Sequence, residues 1–279
     1  MVSEPRIHFQ RPPVVETLLG VQFEPLPKFR NAHLGAFWKR LGSEWTTPTD
    51  APPLAQQFER FEETQRWINS GFLLQVASEL PQRMQLRNQD ENRMVQVQNG
   101  RLHYNWLGQC AAEYPRFKNV RPEFSRILEE LRRFVSDEGL GEIKPNQWEV
   151  TYVNRIPRGT VWNDPSDWSK LFRALVLLPA NLSSASLESF GGECHYEIPP
   201  QLGRLHVQVQ HGRLSAPMIQ EVLTLTLTAR GSVEMGGNRS LDLEGGLNRG
   251  HAVIVKAFTE LTSEAAHEYW GLIHEDAGV

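Results

Sequence analysis

Two long apolar stripes at helical spacing, each preceded by a series of short alternating runs, constrain this chain more than any other feature of its sequence. In the first stripe Phe117, Val120, Phe124, Ile127, Leu128, Leu131, Phe134 and Val135 recur three and four residues apart. Pro122 suits the first turn of such a helix and Gly139 its stop. The second stripe carries Leu247, His251, Ile254, Val255, Phe258, Leu261 and Ala265. A helix with one apolar face must bury it, and an antiparallel sheet of alternating strands offers a matching apolar layer.

The strand signals precede each stripe in a similar order. Val15, Thr17, Leu19, Val21 and Phe23 alternate, bounded by Pro12-Pro13 before and Pro25 and Pro27 after. Asn31 reads as the N-cap of a short helix carrying Leu34, Phe37, Trp38 and Leu41. A loop is expected from Thr46 to Pro53, and the segment with Phe58 and Phe61 fits strand or helix equally. Strand-like runs follow at Trp67–Val76, Arg83–Arg87, Met94–Gln98 and Arg101–Trp106. Asn99-Gly100 between the last two is a two-residue hairpin signal, because type I′ turns need positive φ at both positions. After the first long helix the order starts again. Trp148, Val150, Tyr152, Asn154 and Ile156 alternate, and Asp164 or Ser166 caps a helix with Trp168, Leu171, Phe172, Leu175 and Val176. Runs at Leu182–Ile198, Leu205–Gln210 and Val222–Ala229 precede the last helix.

Each half therefore reads strand, helix, several strands, long helix. Glu16 aligns with Glu149 and Phe23 with Ile156, and the octapeptide Val95–Leu102 is echoed by Val207–Leu214 with one difference, Asn99 against His211. These recurrences point to an internal duplication. The expected fold class is α+β, with two pseudo-repeated halves, 1–144 and 145–279, each an antiparallel sheet covered by a long helix. Joined edge to edge they would give the arrangement of the TATA-box-binding-protein-like fold. The alternative is a helix-grip fold, one sheet around a single C-terminal helix, which leaves the first long helix without a role.

Charge and composition narrow the function classes. Lys and Arg number 29 against 33 Asp and Glu, a net charge of −4, which argues against nucleic acid as a partner. Two cysteines, Cys110 and Cys194, do not make a disulfide framework. Met1 to Arg6 lacks an apolar signal core, and no stretch approaches the roughly 18 apolar residues of a membrane span. A cytoplasmic protein without a membrane partner is the expectation.

Four blocks in order resemble a sporadically distributed bacterial family of uncharacterised proteins. They are Pro12-Pro13-Val14-Val15-Glu16 leading to Val21-Gln22-Phe23, then Val95-Gln96-Val97-Gln98 through Tyr104-Asn105-Trp106 to Tyr114-Pro115-Arg116-Phe117. Glu149-Val150-Thr151-Tyr152-Val153-Asn154-Arg155-Ile156 follows, and last comes Ile254-Val255 through Phe258-Thr259-Glu260-Leu261-Thr262 to His267 and Trp270-Gly271. The chain departs from the family pattern at Leu107, where an Arg often follows Asn-Trp, and after Gly271, where Leu272 stands in place of an Arg. The resemblance implies no established activity and no catalytic residue.

The candidate site residues each carry two readings. His251 on the apolar stripe reads as a general base or ligand contact, or as a core histidine bonded to backbone. Asn154, on the strand face of Trp148, Tyr152 and Ile156, reads as a polar group in a pocket or as an amide pinning adjacent backbone. Arg155 points the opposite way. Glu16 and Glu149, at equivalent places on the two first strands, read as a carboxylate pair or as solubility devices on edge strands. Asn105, Trp106, Tyr114 and Arg116 place aromatic surface beside a guanidinium, which suits partner binding or base stacking; the plainer role is a packed corner before the long helix. His206 and His211 fall on opposite faces of a strand, so no metal site is expected, and Gly236-Gly237 and Gly245-Gly246 lack the context of a phosphate-binding loop. No standard catalytic motif and no cofactor is expected.

The leading expectation is thus a non-enzymatic binding or interaction protein that uses the sheet face or the groove between halves to hold a protein or a small ligand. The alternatives are an enzyme with a site built from Glu16, Asn154, Arg155 and His251, and a nucleic-acid binder.

Overall fold

Alternation along the strands decides the layering. In the computed structural model, which describes residues 7–61, 82–108, 113–173, 181–214, 219–233 and 241–274, the chain is α+β, with a nine-stranded sheet whose neighbours are all antiparallel. The elements before residue 144 are β1 (Ile7–Phe9), β2 (Val14–Phe23), α1 (Asn31–Leu41), β3 (Trp45–Ala51), β4 (Arg83–Asn88), β5 (Arg93–Gln98), β6 (Arg101–Leu107) and α2 (Phe117–Asp137). After it come β7 (Pro145–Pro157), α3 (Trp168–Leu171), a two-residue hairpin of β8 (Asn181–Leu182) and β9 (Ala185–Ser186), then β10 (Gly191–Ile198), β11 (Gly203–Leu214) and β12 (Gln220–Ser232). The chain ends in α4 (Leu243–Leu261), α5 (Glu264–Trp270) and β13 (Leu272–His274).

The strand order is β10-β11-β12-β7-β2-β6-β5-β4-β3, so β2 and β7 lie side by side in the middle, with Leu18 opposite Thr151. Leu19 and Val21 of β2 and Trp148, Val150, Tyr152 and Ile156 of β7 face one way and are buried. There they join Leu102, Tyr104 and Trp106 of β6 and Leu223, Leu225 and Leu227 of β12 in a single core that also takes in the buried stripes of α2 and α4. Eight side chains of α2 are buried, each worth about 1.5–3 kcal/mol in transfer free energy. Because two long helices lie on this face, the single-helix alternative does not describe the chain. Among the described residues no helix is long and apolar enough to cross a membrane.

A close approach of α4 to the sheet fixes the centre. Asp242 caps α4, its Oδ1 accepting from the Gly245 N–H at 2.7 Å. Gly246 and Gly250 then lie directly on the Trp148 indole: a β-carbon at Gly250 would sit 2.9 Å from Cζ3, and one at Gly246 would overlap the ring outright. The Gly245-Gly246 pair is therefore a cap and a socket.

Several local expectations are corrected. Thr46–Pro53 is mostly the edge strand β3, which tolerates Pro48 because an outermost strand leaves one row of donors unpaired. The residue before α1 is Arg30, not Asn31, and its backbone N–H donates to His33 Nδ1 at 2.8 Å. Phe58 and Phe61 belong to neither strand nor helix. Pro122 falls in the second turn of α2, which starts at Phe117. The helix expected to reach Val176 ends at Leu171; Phe172 is extended and bridges to Thr262, while Leu175 and Val176 lie outside the described residues, as do the run Trp67–Val76, Cys110 and Gly236-Gly237. The run expected over Leu182–Ile198 divides into β9 and β10, with Leu182 ending β8. Asn99-Gly100 does make a tight turn, with Gly100 at φ 92, but its echo His211-Gly212 continues straight through β11 opposite Leu223 and Val222.

The Trp148 socket predicts opposite signs at two helical glycines. Gly246→Ala should lower the unfolding free energy in urea by about 1–3 kcal/mol through overpacking. Gly35→Ala in α1, where an added β-carbon meets nothing within 4 Å, should raise it by roughly 0.5–1 kcal/mol.

Candidate functional site

The even-numbered residues of β7 that face the helices bring Tyr152 and Asn154 beneath α4, and the seam between β2 and β7 places them next to the start of α2. Tyr114 Oη lies 2.8 Å from Tyr152 Oη, which lies 2.8 Å from His251 Nδ1. The imidazole of His251 stacks on Phe117 with centroids 4.2 Å apart and planes 1° from parallel. Trp106, fully buried, backs Tyr114 at 5.2 Å. The Arg116 guanidinium sits 5.7 Å above the Tyr114 ring and donates from Nη2 to the Phe9 carbonyl at 2.8 Å. Arg116 holds φ at 69, a left-handed conformation that costs a non-glycine residue of order 1–3 kcal/mol.

Tyr114, Arg116, Phe117, Tyr152 and His251 line a cavity of about 250 Å³ with Asn154, Lys118, Ile254 and Phe258, and Trp106 lies behind Tyr114. Strand β1 forms another wall. It is held there by pairing with β13 and by Phe9, which meets Phe258 and Trp270 edge-on or tilted in one aromatic group. Asn154 is 1% exposed. Its Nδ2 donates to the Leu225 carbonyl at 3.0 Å, the pinning role, while its Oδ1 has no partner among the described residues. A buried acceptor left unpaired costs about 1–3 kcal/mol. Burial pulls the His251 pKa down to about 4, so the ring is neutral at pH 7. Burial also pushes the Tyr114 and Tyr152 hydroxyls up, so both stay protonated.

Of the residues singled out in the sequence, Tyr114, Arg116, Asn154 and His251 thus meet around one cavity, with Trp106 packed behind Tyr114. Glu16, Asn105 and Arg155 lie on the opposite face of the sheet, because neighbouring residues on a strand alternate sides. Glu16 accepts from Asn105 Nδ2 at 2.6 Å, Asn105 Oδ1 accepts from Gln96 Nε2 at 2.9 Å, and burial raises the Glu16 carboxyl above its ordinary value. The four-residue enzyme constellation therefore does not converge. Nor do Glu16 and Glu149 pair: Glu149 stands opposite Gly20, four residues along β2 or roughly 13 Å away.

That opposite face carries a second structure that sequence reasoning missed. Residues 52–61 cross it as a strap held by side chains. Gln98 exchanges two bonds with the Leu54 backbone, at 2.8 and 2.9 Å, and Gln22 does the same with Gln57 at 2.9 and 3.1 Å. Glu59, 1% exposed at its side chain, meets Arg204 at 2.9 Å, Arg230 at 2.8 Å and His206 at 2.9 Å. Burial alone would raise its pKa, but His206 and the two guanidinium groups outweigh it and hold the carboxyl at about 2. Arg101 and Arg230 also approach Glu149, at 3.9 and 3.8 Å. Arg101, Arg204 and Arg230 at the middle of this face thus each have a carboxylate within 4.0 Å. Nothing in the sequence flags the strap, because its contacts run from glutamine amides to backbone without any period.

Comparison of the chain with models of protein families, with curated proteins and with solved structures returns no match.

The buried histidine generates a pH prediction. In the unfolded chain His251 titrates near 6.5 and in the fold near 4, so the unfolded state takes up the proton first and stability falls as pH drops through that window. His103, fully buried and also lowered to about 4, acts in the same direction. Denaturant unfolding of His251→Gln between pH 7 and pH 4 should show a shallower loss of stability than the parent, with His103, His195 and His267, all lowered first by burial, contributing to the slope that remains. An unchanged slope would contradict the buried, neutral state of His251.

Proposed function

We propose that the chain is a binding protein whose cavity at the seam holds a small molecule with a hydrogen-bond donor at one end and a negative charge at the other. The observation that carries this is Asn154 Oδ1, a buried acceptor on a residue that lines the cavity and without a partner among the described residues. A ligand hydroxyl or amide N–H would satisfy it. Arg116 and Lys118 line the same cavity at the positive end of α2, where an anion is favoured. Neutral His251 and the protonated Tyr152 and Tyr114 hydroxyls supply orientation rather than charge. The volume suits a molecule smaller than a typical drug. The occupied opposite face leaves the groove between halves, rather than the sheet surface, as the binding place.

The doubled architecture belongs to the same reading. Its support is the strand order, in which β2 and β7 each sit beside the last strand that their own half gives to the nine-stranded sheet, β6 and β12. The pairing of Leu18 with Thr151 adds to it: with Glu16 aligned to Glu149, an offset of 133, that is the pair in which a residue meets its own equivalent, as a pseudo-twofold axis requires. A TATA-box-binding-protein-like arrangement has this form. At the positions equivalent to Tyr152 and Asn154 the first half carries Leu19 and Val21. One half of the doubled unit has thus taken polar groups that the other lacks, which is what a single asymmetric ligand site needs. The resemblance to the sporadic bacterial family supplies no activity, so the cavity chemistry carries the assignment.

A thermal-shift and calorimetry panel of small hydroxylated carboxylates, including 4-hydroxybenzoate and mandelate with benzoate as the donor-free comparison, tests the proposal. At least one hydroxylated member should stabilise the protein, and Asn154→Leu and Arg116→Ala should each weaken its binding by about tenfold or more. If no member stabilises the parent beyond Asn154→Leu, the proposal fails.

A further inference from the structure

We propose that Glu193, His195 and His206, on the face of the sheet away from the cavity, form a binding site for one divalent transition-metal ion, with zinc the best match. His195 of β10 and His206 of β11 are direct cross-strand partners, and Glu193 shares the face two residues earlier. One donor atom from each of the three lies within 4.8 Å of the others. The two Nδ1 atoms are 2.8 Å apart. Tetrahedral zinc with bonds of about 2.0–2.1 Å to nitrogen needs its ligand atoms roughly 3.4 Å apart, so a small rotation of either ring opens the space.

The second observation is independent of that convergence. His206 Nε2 lies 2.9 Å from Glu59 Oε1, and Glu59 is locked in place by Arg204 and Arg230. A carboxylate on one imidazole nitrogen fixes the proton there and leaves the other nitrogen as a lone pair, the arrangement that orients metal-binding histidines. His206 Nδ1 is therefore presented as an acceptor, and in the metal-free protein His195 Nδ1–H donates to it. An incoming cation takes both Nδ1 lone pairs while the His195 proton moves to Nε2, so binding requires no net loss of a proton from either neutral ring. Glu193 Oε1, which lies 3.8 Å from His195 Nε2, turns to the ion as the third ligand, and water is the fourth.

The site is reachable, with side-chain exposures of 19% for His195, 14% for His206 and 51% for Glu193. Beside it Arg204 and Arg230 are paired with Glu59. Moderate affinity, in the micromolar range, is the expectation for this donor set, about −8 kcal/mol by the standard conversion. Cys194, between two of the ligands in sequence, points to the other side of the sheet, with its thiol 3.6 Å from the Tyr196 hydroxyl, and takes no part.

The test uses the full chain, stripped of metal and titrated with zinc by calorimetry and with cobalt by absorption. The expected result is one zinc per chain, and a four-coordinate cobalt spectrum without a thiolate charge-transfer band. Glu59→Gln should weaken zinc binding about 10–100-fold although Glu59 is not a ligand, and His195→Gln and His206→Gln should weaken it further. Cys194→Ser should bind as the parent does. Should one histidine variant not fold, the other and the cobalt spectrum of the parent decide the matter. Absence of zinc binding below millimolar concentration, binding indifferent to both histidines, or binding lost with Cys194→Ser would each overturn the site. None of these outcomes bears on the cavity across the sheet.

Discussion

The pairing of β2 with β7 is the constraint on which the rest of the structure depends. It runs from Val14 opposite Asn154 to Phe23 opposite Pro145, and it makes one sheet out of two sets of strands that are otherwise each closed on their own side. A slip of one residue in this ladder would turn Trp148, Val150 and Tyr152 away from α4 and expose them, so the buried face enforces the register. The same ladder sets where the two long helices meet. The first turn of α2 and the middle of α4 come together over Tyr152, and the cavity is the space they leave.

Two kinds of polar arrangement then divide between the faces. On the helix side, burial dominates: it neutralises His251, keeps two tyrosines protonated and leaves the Asn154 carbonyl oxygen unanswered. On the far side most polar groups are answered, by glutamines that pair with a passing strap and by a carboxylate, Glu59, shared among two arginines and a histidine, while the Gln147 amide and Arg83 Nε have no partner among the described residues. Breaking such a buried ionic cluster from one side costs far more than the cluster contributes by existing, so its role is to hold the strap in one place. Several buried polar atoms lack a partner among the described residues; Asn154 Oδ1 is the one among them that belongs to a residue lining the cavity.

Much of this was legible in the sequence, for physical reasons that differ by element. The stripe of α2 and the alternation of β7 are strong periodic signals, and both long helices and the central strands stand where periodicity places them. His251 was visible as a polar residue on an apolar stripe, and Asn154 as one on an apolar strand face; an oddity of that kind is readable because the pattern around it is regular. Whether Asn154 and Glu16 share a surface was not readable, since that depends on which strands pair and in what register. The cross-strand meeting of His195 with His206 was hidden for the same reason. Pro48 misled because proline marks a loop in isolation and an edge strand only once the sheet order is known. The octapeptide echo misled in part: its valines face the core in both places, but only Asn99-Gly100 turns, because β12 runs on beside His211-Gly212 and keeps them extended.

The claim that the two sets of strands form one cooperative body through the β2–β7 ladder is open to a direct measurement, native-state hydrogen exchange of the amides in that ladder. Those of Leu18, Leu19, Val150 and Thr151 should exchange only by global unfolding, at rates as slow as any in the chain and with the same denaturant dependence as the cores on either side. Faster exchange along the seam than within β6–β5 and β12–β11 would mean that the two halves part before either unfolds, and would contradict the account.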